Sequence, residues 1–153
     1  MNQKNIFFEI INIYKNKNIN LPQRQTCFSA GYDFAAAEDK GIKPYQIALI
    51  PTGIKAFFPK NKVLLIYARS SLSIKKKLML ANHVGVIDSD YYNNIQNEGH
   101  ILIPLYNFSN ETSYIFKNER IAQGIFQNFY LTDNDQVVHN KKRINGFGST
   151  SQK

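Results

Sequence analysis

The stretch Tyr45-Gln46-Ile47-Ala48-Leu49-Ile50-Pro51-Thr52-Gly53-Ile54-Lys55-Ala56-Phe57-Phe58-Pro59-Lys60-Asn61-Lys62-Val63-Leu64-Leu65-Ile66-Tyr67-Ala68 reads as three short strands, Tyr45 to Ile50, Ile54 to Phe58 and Val63 to Ala68, parted by Pro-Thr-Gly and Pro-Lys-Asn-Lys. Proline fixes φ and glycine admits left-handed backbone, so these separators carry turn chemistry, while the runs between them are too short for packed helices. The same rhythm continues on both sides. Ile6 to Tyr14 is apolar and β-branched until Leu21-Pro22 interrupts, and Tyr32 to Ala37 reads as another strand. Downstream, Ile101 to Phe108, Thr112 to Phe116 and Gln123 to Leu131 repeat the pattern, and Ser70 to Met79 is the one place for a short helix. Short strands at turn-marked intervals predict an all-β, jelly-roll-like barrel or sandwich.

At 153 residues and 43% hydrophobic content, the chain suits one core, built mostly from its 11 Phe and 9 Tyr. Residues 1–131 read as that β domain. Residues 132–153 are polar and end in Gly, Ser and Thr, which predicts a mobile C-terminal arm. No apolar run approaches membrane-spanning length. The opening Met1-Asn2-Gln3-Lys4-Asn5 leads into residues broken by Glu9, Asn12 and Lys15, unlike a signal peptide. A lone Cys27 excludes an intrachain disulfide and fits a reducing, cytoplasmic setting. The net charge of +8 raises nucleic-acid binding as a possibility, but the lysines are interspersed with asparagines as a compositional bias, and attraction of a small anion is the favoured reading.

Chemistry concentrates in a few places. Gly85-Val86-Ile87-Asp88-Ser89-Asp90-Tyr91 sets two carboxylates beside an aromatic ring, and Asp88 and Asp90 share a face if the segment is extended. Arg69-Ser70-Ser71 joins a planar guanidinium to two hydroxyls, a set suited to phosphate oxygens. The tail Arg143-Ile144-Asn145-Gly146-Phe147-Gly148-Ser149-Thr150 has glycines on both sides of an aromatic but lacks the Lys of a nucleotide-binding P-loop. Glu119 and Arg120 read as structural ion pairs.

Ala30-Gly31-Tyr32-Asp33, Arg69-Ser70-Ser71, Gly85 to Tyr91, Asn118-Glu119-Arg120-Ile121-Ala122-Gln123 and Gly146-Phe147-Gly148-Ser149-Thr150 resemble, in order and spacing, the five motifs of the homotrimeric dUTPases. The resemblance runs from about Ala30 to Ser151. It implies hydrolysis of dUTP to dUMP and pyrophosphate with Mg²⁺, by water that Asp88 activates. It implies that Asp33 meets the metal through water only and that Tyr91 packs under the deoxyribose. Arg69, Ser70, Ser71 and Gln123 would lie at the phosphates. Asn82 and the backbone of Gly85, Val86 and Ile87, facing a returning strand near Ile101 and Leu102, would read uracil. Phe147, beside Gly148, would stack on the base; Ser149 and Thr150 would bind the γ-phosphate, as would either Arg143 or Lys142. Three identical subunits are implied, each site capped by another chain's tail. Segment Asn93 to Gly99 is longer than the matching turn of the shortest members. The rival enzyme is a dCTP deaminase, which needs a glutamate near the ring, with Glu98 the nearest; a different class is a phage-type regulator that also acts through a protein partner.

Overall fold

The computed structural model describes residues 6–136, 143, 146 and 147. Eleven strands and one α-helix are formed among them, in four small antiparallel sheets. The strands are β1 (Phe7–Ile10), β2 (Tyr32–Ala35), β3 (Lys40–Ile42), β4 (Ile47–Pro51), β5 (Ile54–Phe57), β6 (Lys62–Ala68), β7 (Leu78–Leu80), β8 (Gly85–Ile87), β9 (Leu102–Asn107), β10 (Ser113–Ile115) and β11 (Arg120–Asn128), with α1 (Ser70–Lys76) between β6 and β7. The all-β, jelly-roll-like expectation holds.

Two sheets carry the site: β2-β11-β6-β8 and β4-β9-β7. Their inward residues, among them Phe34, Ile50, Leu64, Ile66, Leu78 and Leu105, form one dry core. A bulge between Arg120 and Ala122 in β11 lets two successive residues, Ile121 and Ala122, both point inward, which strict alternation forbids. Gly124 on the same strand lies so close to the core that a Cβ there would come within 2.7 Å of the Phe34 ring and 3.0 Å of Leu64.

Locally patterned segments stop short where a partner strand ends. Ile6 to Tyr14 is a strand only over β1, because β5 begins at the Gly53 turn (φ +72°); Ile11 donates to the Gly53 carbonyl at 2.9 Å, and a 3₁₀ turn over Asn12–Tyr14 follows. The helix of Ser70 to Met79 stops at Lys76, since Lys77 turns left-handed (φ 54°) and the buried Leu78 and Leu80 pair with β9 as β7. The weakly patterned Lys-Gly-Ile of β3 is a strand only because β10 pairs with it.

The site arises from two strand edges. β8 is the outermost strand of its sheet. β7 pairs with β9 only from Leu105 to Asn107, extended by one bond from the Ala81 amide to the Pro104 carbonyl, before the chain turns through Asn82 and His83 into β8. The edges of β8 and of Leu102–Pro104 therefore border a gap, and strand edges present unpaired N–H and C=O groups.

Candidate active site

That gap is a cavity of about 220 Å³. Ile66, Leu80 and Ile103 supply apolar walls, the backbone of Gly85 to Asp88 forms one side with Asn82, and Leu102 to Pro104 forms the other. Tyr91, Arg143, Gly146 and Phe147 complete it. A side chain at position 85 would press on Ile66 at 3.1 Å, so glycine lets β8 approach β6 and keeps the cavity open. Ile101, expected as a base-reading position, does not line it: its amide donates to Ile54 at 2.8 Å and its carbonyl accepts from Thr52 Oγ1 at 2.6 Å. The edge available to a ligand begins one residue later, at Leu102.

Asp88 follows β8 in extended conformation (φ −85°, ψ 155°), and Ser89–Tyr91 then folds into a 3₁₀ turn, with the Tyr91 amide donating to the Asp88 carbonyl at 3.1 Å. Asp88 and Asp90 are thus not related by strand alternation, as an extended segment would have had it. They are brought together by one guanidinium: Arg143 donates from a terminal nitrogen to Asp88 at 2.5 Å and from Nε to Asp90 at 2.7 Å. Both carboxylates remain about half exposed, at 51% and 59%, a setting in which ion pairs contribute only about 0–1 kcal/mol each.

Tyr91 is buried and doubly bonded at its hydroxyl, donating to the His100 carbonyl at 2.7 Å and accepting from Asn97 Nδ2 at 2.8 Å. Burial pushes its phenol up, against smaller opposite pulls from the Asn97 bond and the Arg143 charge. His100 is itself buried, and desolvation lowers its pKa to about 4; its Nε2 accepts the Gly53 amide at 2.9 Å, the bond of a neutral ring. Nothing in the local pattern signals either support, apart from the run of asparagines that follows Tyr91-Tyr92.

A second group of expected site residues gathers elsewhere. Asp33 on β2 receives Arg69 Nε at 3.4 Å and Arg120 at 3.2 Å, one on each carboxylate oxygen. Gln123 on β11 lies beside it in register and donates to the Ala68 carbonyl at 3.1 Å, its side chain packed so tightly on Gly31 that a Cβ there would lie 2.5 Å from Gln123 Oε1. Ser70 and Ser71 open α1, where first-turn amides have no intrahelical acceptor. None of these residues lines the cavity. Ile87 pairs with Leu64, and Arg69 stands five residues further along, roughly 17 Å at about 3.3 Å per strand residue. Within one chain the two groups do not meet. Glu119 pairs with Lys76 at 2.8 Å.

Arg143, Gly146 and Phe147 lie against their own chain's cavity. Gly148, Ser149, Thr150 and Lys142 fall outside the described residues. Glu98, the deaminase candidate, is turned away: one oxygen takes Lys55 Nζ at 2.8 Å and the other the Asn12 amide at 3.0 Å. Burial alone would raise its carboxyl, but these bonds outweigh it and hold it below the ordinary carboxylate range. Among the described residues no three His, Cys, Asp or Glu side chains converge to hold a metal. A direct carboxylate cage is not required for Mg²⁺, since that ion keeps most of its ligands as water and phosphate oxygens.

The dUTPase family model matches residues 17–151. The deoxyuridine 5'-triphosphate nucleotidohydrolase of Lactococcus lactis subsp. lactis is 50% identical over 143 residues, covering 94% of this chain and 95% of the relative. That of Desulfitobacterium hafniense is 39% identical over 150 residues, covering 93% and 94%. Among solved structures, a dUTPase from Streptococcus mutans superposes with a TM-score of 0.80 at 46% identity, over 83% of this chain and 98% of that one. A dUTPase from phage phi11 of S. aureus, at 22% identity and TM-score 0.72 over 88% and 97%, shares the fold. With a family model spanning most of its length and half its positions shared with a full-length relative, the chain belongs to the dUTPase family.

Proposed function

We propose that the protein hydrolyses dUTP to dUMP and pyrophosphate. The observation that carries this reading is a carboxylate, Asp88, at the mouth of a cavity walled by two strand edges and a fixed tyrosine. Backbone donors and acceptors on β8 and Leu102–Pro104, with Asn82, suit the N3–H and O4 of uracil. Cytosine reverses both groups and would leave buried polar atoms unpaired, a mismatch that costs far more than a methylene. Tyr91 would lie under the deoxyribose, and Phe147 over the base.

Asp88 accepts a proton as water attacks the α-phosphorus; the new P–O bond forms, the bond to the bridging α–β oxygen breaks, and pyrophosphate leaves. Mg²⁺, when bound with the substrate, supplies charge neutralisation at the phosphate oxygens. Arg143 is suited to exchange Asp88 for the triphosphate tail, which would release the base as the arm closes.

Arg69, Ser70, Ser71 and Gln123 serve the phosphates in this reading, and Asp33 a water-linked metal. Their distance from Asp88 within one chain supports a homotrimer in which a neighbour supplies this second group. Residues 1–131 would form the barrel and 132–153 the arm. A single exposed, unpaired Cys27 suits a cytoplasmic setting. Glu98, held by Lys55, offers a deaminase no free base at the cavity.

The test is pyrophosphate release with Mg²⁺ from dUTP, UTP, dCTP and dTTP. Turnover of dUTP alone is expected. Ammonia release from dCTP at a matching rate, or no turnover of any of the four by folded protein, overturns the reading.

A further inference from the structure

We propose that Asn97 is a specificity-positioning residue: by its Nδ2 bond to the Tyr91 hydroxyl it fixes the ring that meets the sugar, and so sets the preference for a 2′-deoxy over a 2′-hydroxy nucleotide. The inference rests on the reading that Tyr91 lies under the deoxyribose.

A steric filter works only as far as its wall refuses to move. One extra oxygen is rejected by a ring packed at core density and admitted by a ring free to tilt. Tyr91 sits in a short 3₁₀ turn beside the cavity, a weak support by itself. What holds its far end is the loop that follows. The hydroxyl has both roles filled, as donor to His100 and as acceptor from Asn97.

Asn97 is in turn locked. Its Oδ1 accepts from Asn94 Nδ2 at 2.6 Å and from the Gly99 amide at 3.1 Å, and its amide donates to Asn94 Oδ1 at 3.2 Å. Asn94, buried, also donates to the Tyr91 carbonyl at 2.9 Å. The loop is pinned to the barrel at both ends by one ammonium, Lys55 Nζ, which donates to Asn93 Oδ1 at 2.7 Å and to Glu98 at 2.8 Å. Gly99 closes it with φ +86°, where a Cβ would lie 2.8 Å from the Tyr91 carbonyl oxygen. The rigidity of β5 is thus passed through Lys55 and the loop to the phenol.

The experiment compares wild type, Asn97→Ala, Tyr91→Phe and the double variant. Turnover of dUTP and UTP and calorimetric binding of their non-hydrolysable α,β-imido analogues are both measured, so the binding ratio is read even if turnover fails. Asn97→Ala is expected to lower the dUTP-over-UTP ratio about tenfold, the size of one relaxed steric contact, chiefly by improving UTP. Tyr91→Phe should lower it similarly, and the double variant no further, since both act through one hydroxyl. An unchanged ratio in Asn97→Ala, or independent addition of the two effects, overturns the proposal. Should Asn97→Ala not fold, Tyr91→Phe leaves the loop's own bonds intact, and an unchanged ratio there overturns it equally. Wild type that binds the two analogues selectively without hydrolysing dUTP would sink the proposed reaction but not this inference.

Discussion

Acidification should destabilise this protein through His100. His100 is only 8% exposed, its Nε2 accepts the Gly53 amide at 2.9 Å, and desolvation holds its pKa at about 4. In the unfolded chain a histidine titrates near the ordinary value of about 6.5, so between these values the unfolded state binds a proton that the folded state refuses. Stability is complete above pH 6.5 and falls by about 1.36 kcal/mol per pH unit below it, reaching a loss of about 2 kcal/mol at pH 5. The assay is urea unfolding from pH 7.5 to 5 at fixed protein concentration, for wild type and for His100→Gln, which keeps an acceptor without titrating. The variant is expected to show a pH dependence shallower by that amount. Parallel curves, or a His100 resonance titrating near 6.5 by NMR, would refute the argument. Because the His100 carbonyl also receives the Tyr91 hydroxyl, acid should loosen the cavity wall together with the fold.

Asp88→Asn should lower dUTP turnover by about 10²–10⁴-fold, the usual contribution of a general base, with nucleotide binding by calorimetry retained; an equal loss of binding would make Asp88 structural. Ending the chain at Gly146 removes Phe147 and is expected to slow turnover strongly while light scattering reports an unchanged assembly; an unchanged rate would show that the arm does not cap the site. Gly124→Ala places a methyl against Phe34 and Leu64 and should cost about 1–3 kcal/mol in urea unfolding, as overpacked cores do; a neutral result would mean that β11 shifts freely.

Strand class was legible because it rests on short-range alternation and turn residues: β5 and β6 formed within a residue of where Ile54 to Phe58 and Val63 to Ala68 predicted them. The chemistry around Asp88 and Tyr91 was legible for a similar reason, as its residues are neighbours in the chain. β3 and β7 were not, since Lys40–Ile42 and Leu78–Leu80 become strands only when β10 and β9 lie alongside.

Tertiary structure alone decided three things about the site. It replaced an extended Asp-Ser-Asp by a 3₁₀ turn whose carboxylates share Arg143. It set Arg69 and Asp33 a strand's length from Asp88, and it tied Tyr91 to Asn97 through a loop anchored on Lys55, 43 residues before its partner Glu98. Sequence by itself determined which groups are available and the β class they fold into, through periodicity that acts over a few residues. Which groups touch was settled by pairing between segments far apart in the chain, whose register and edges no local pattern encodes.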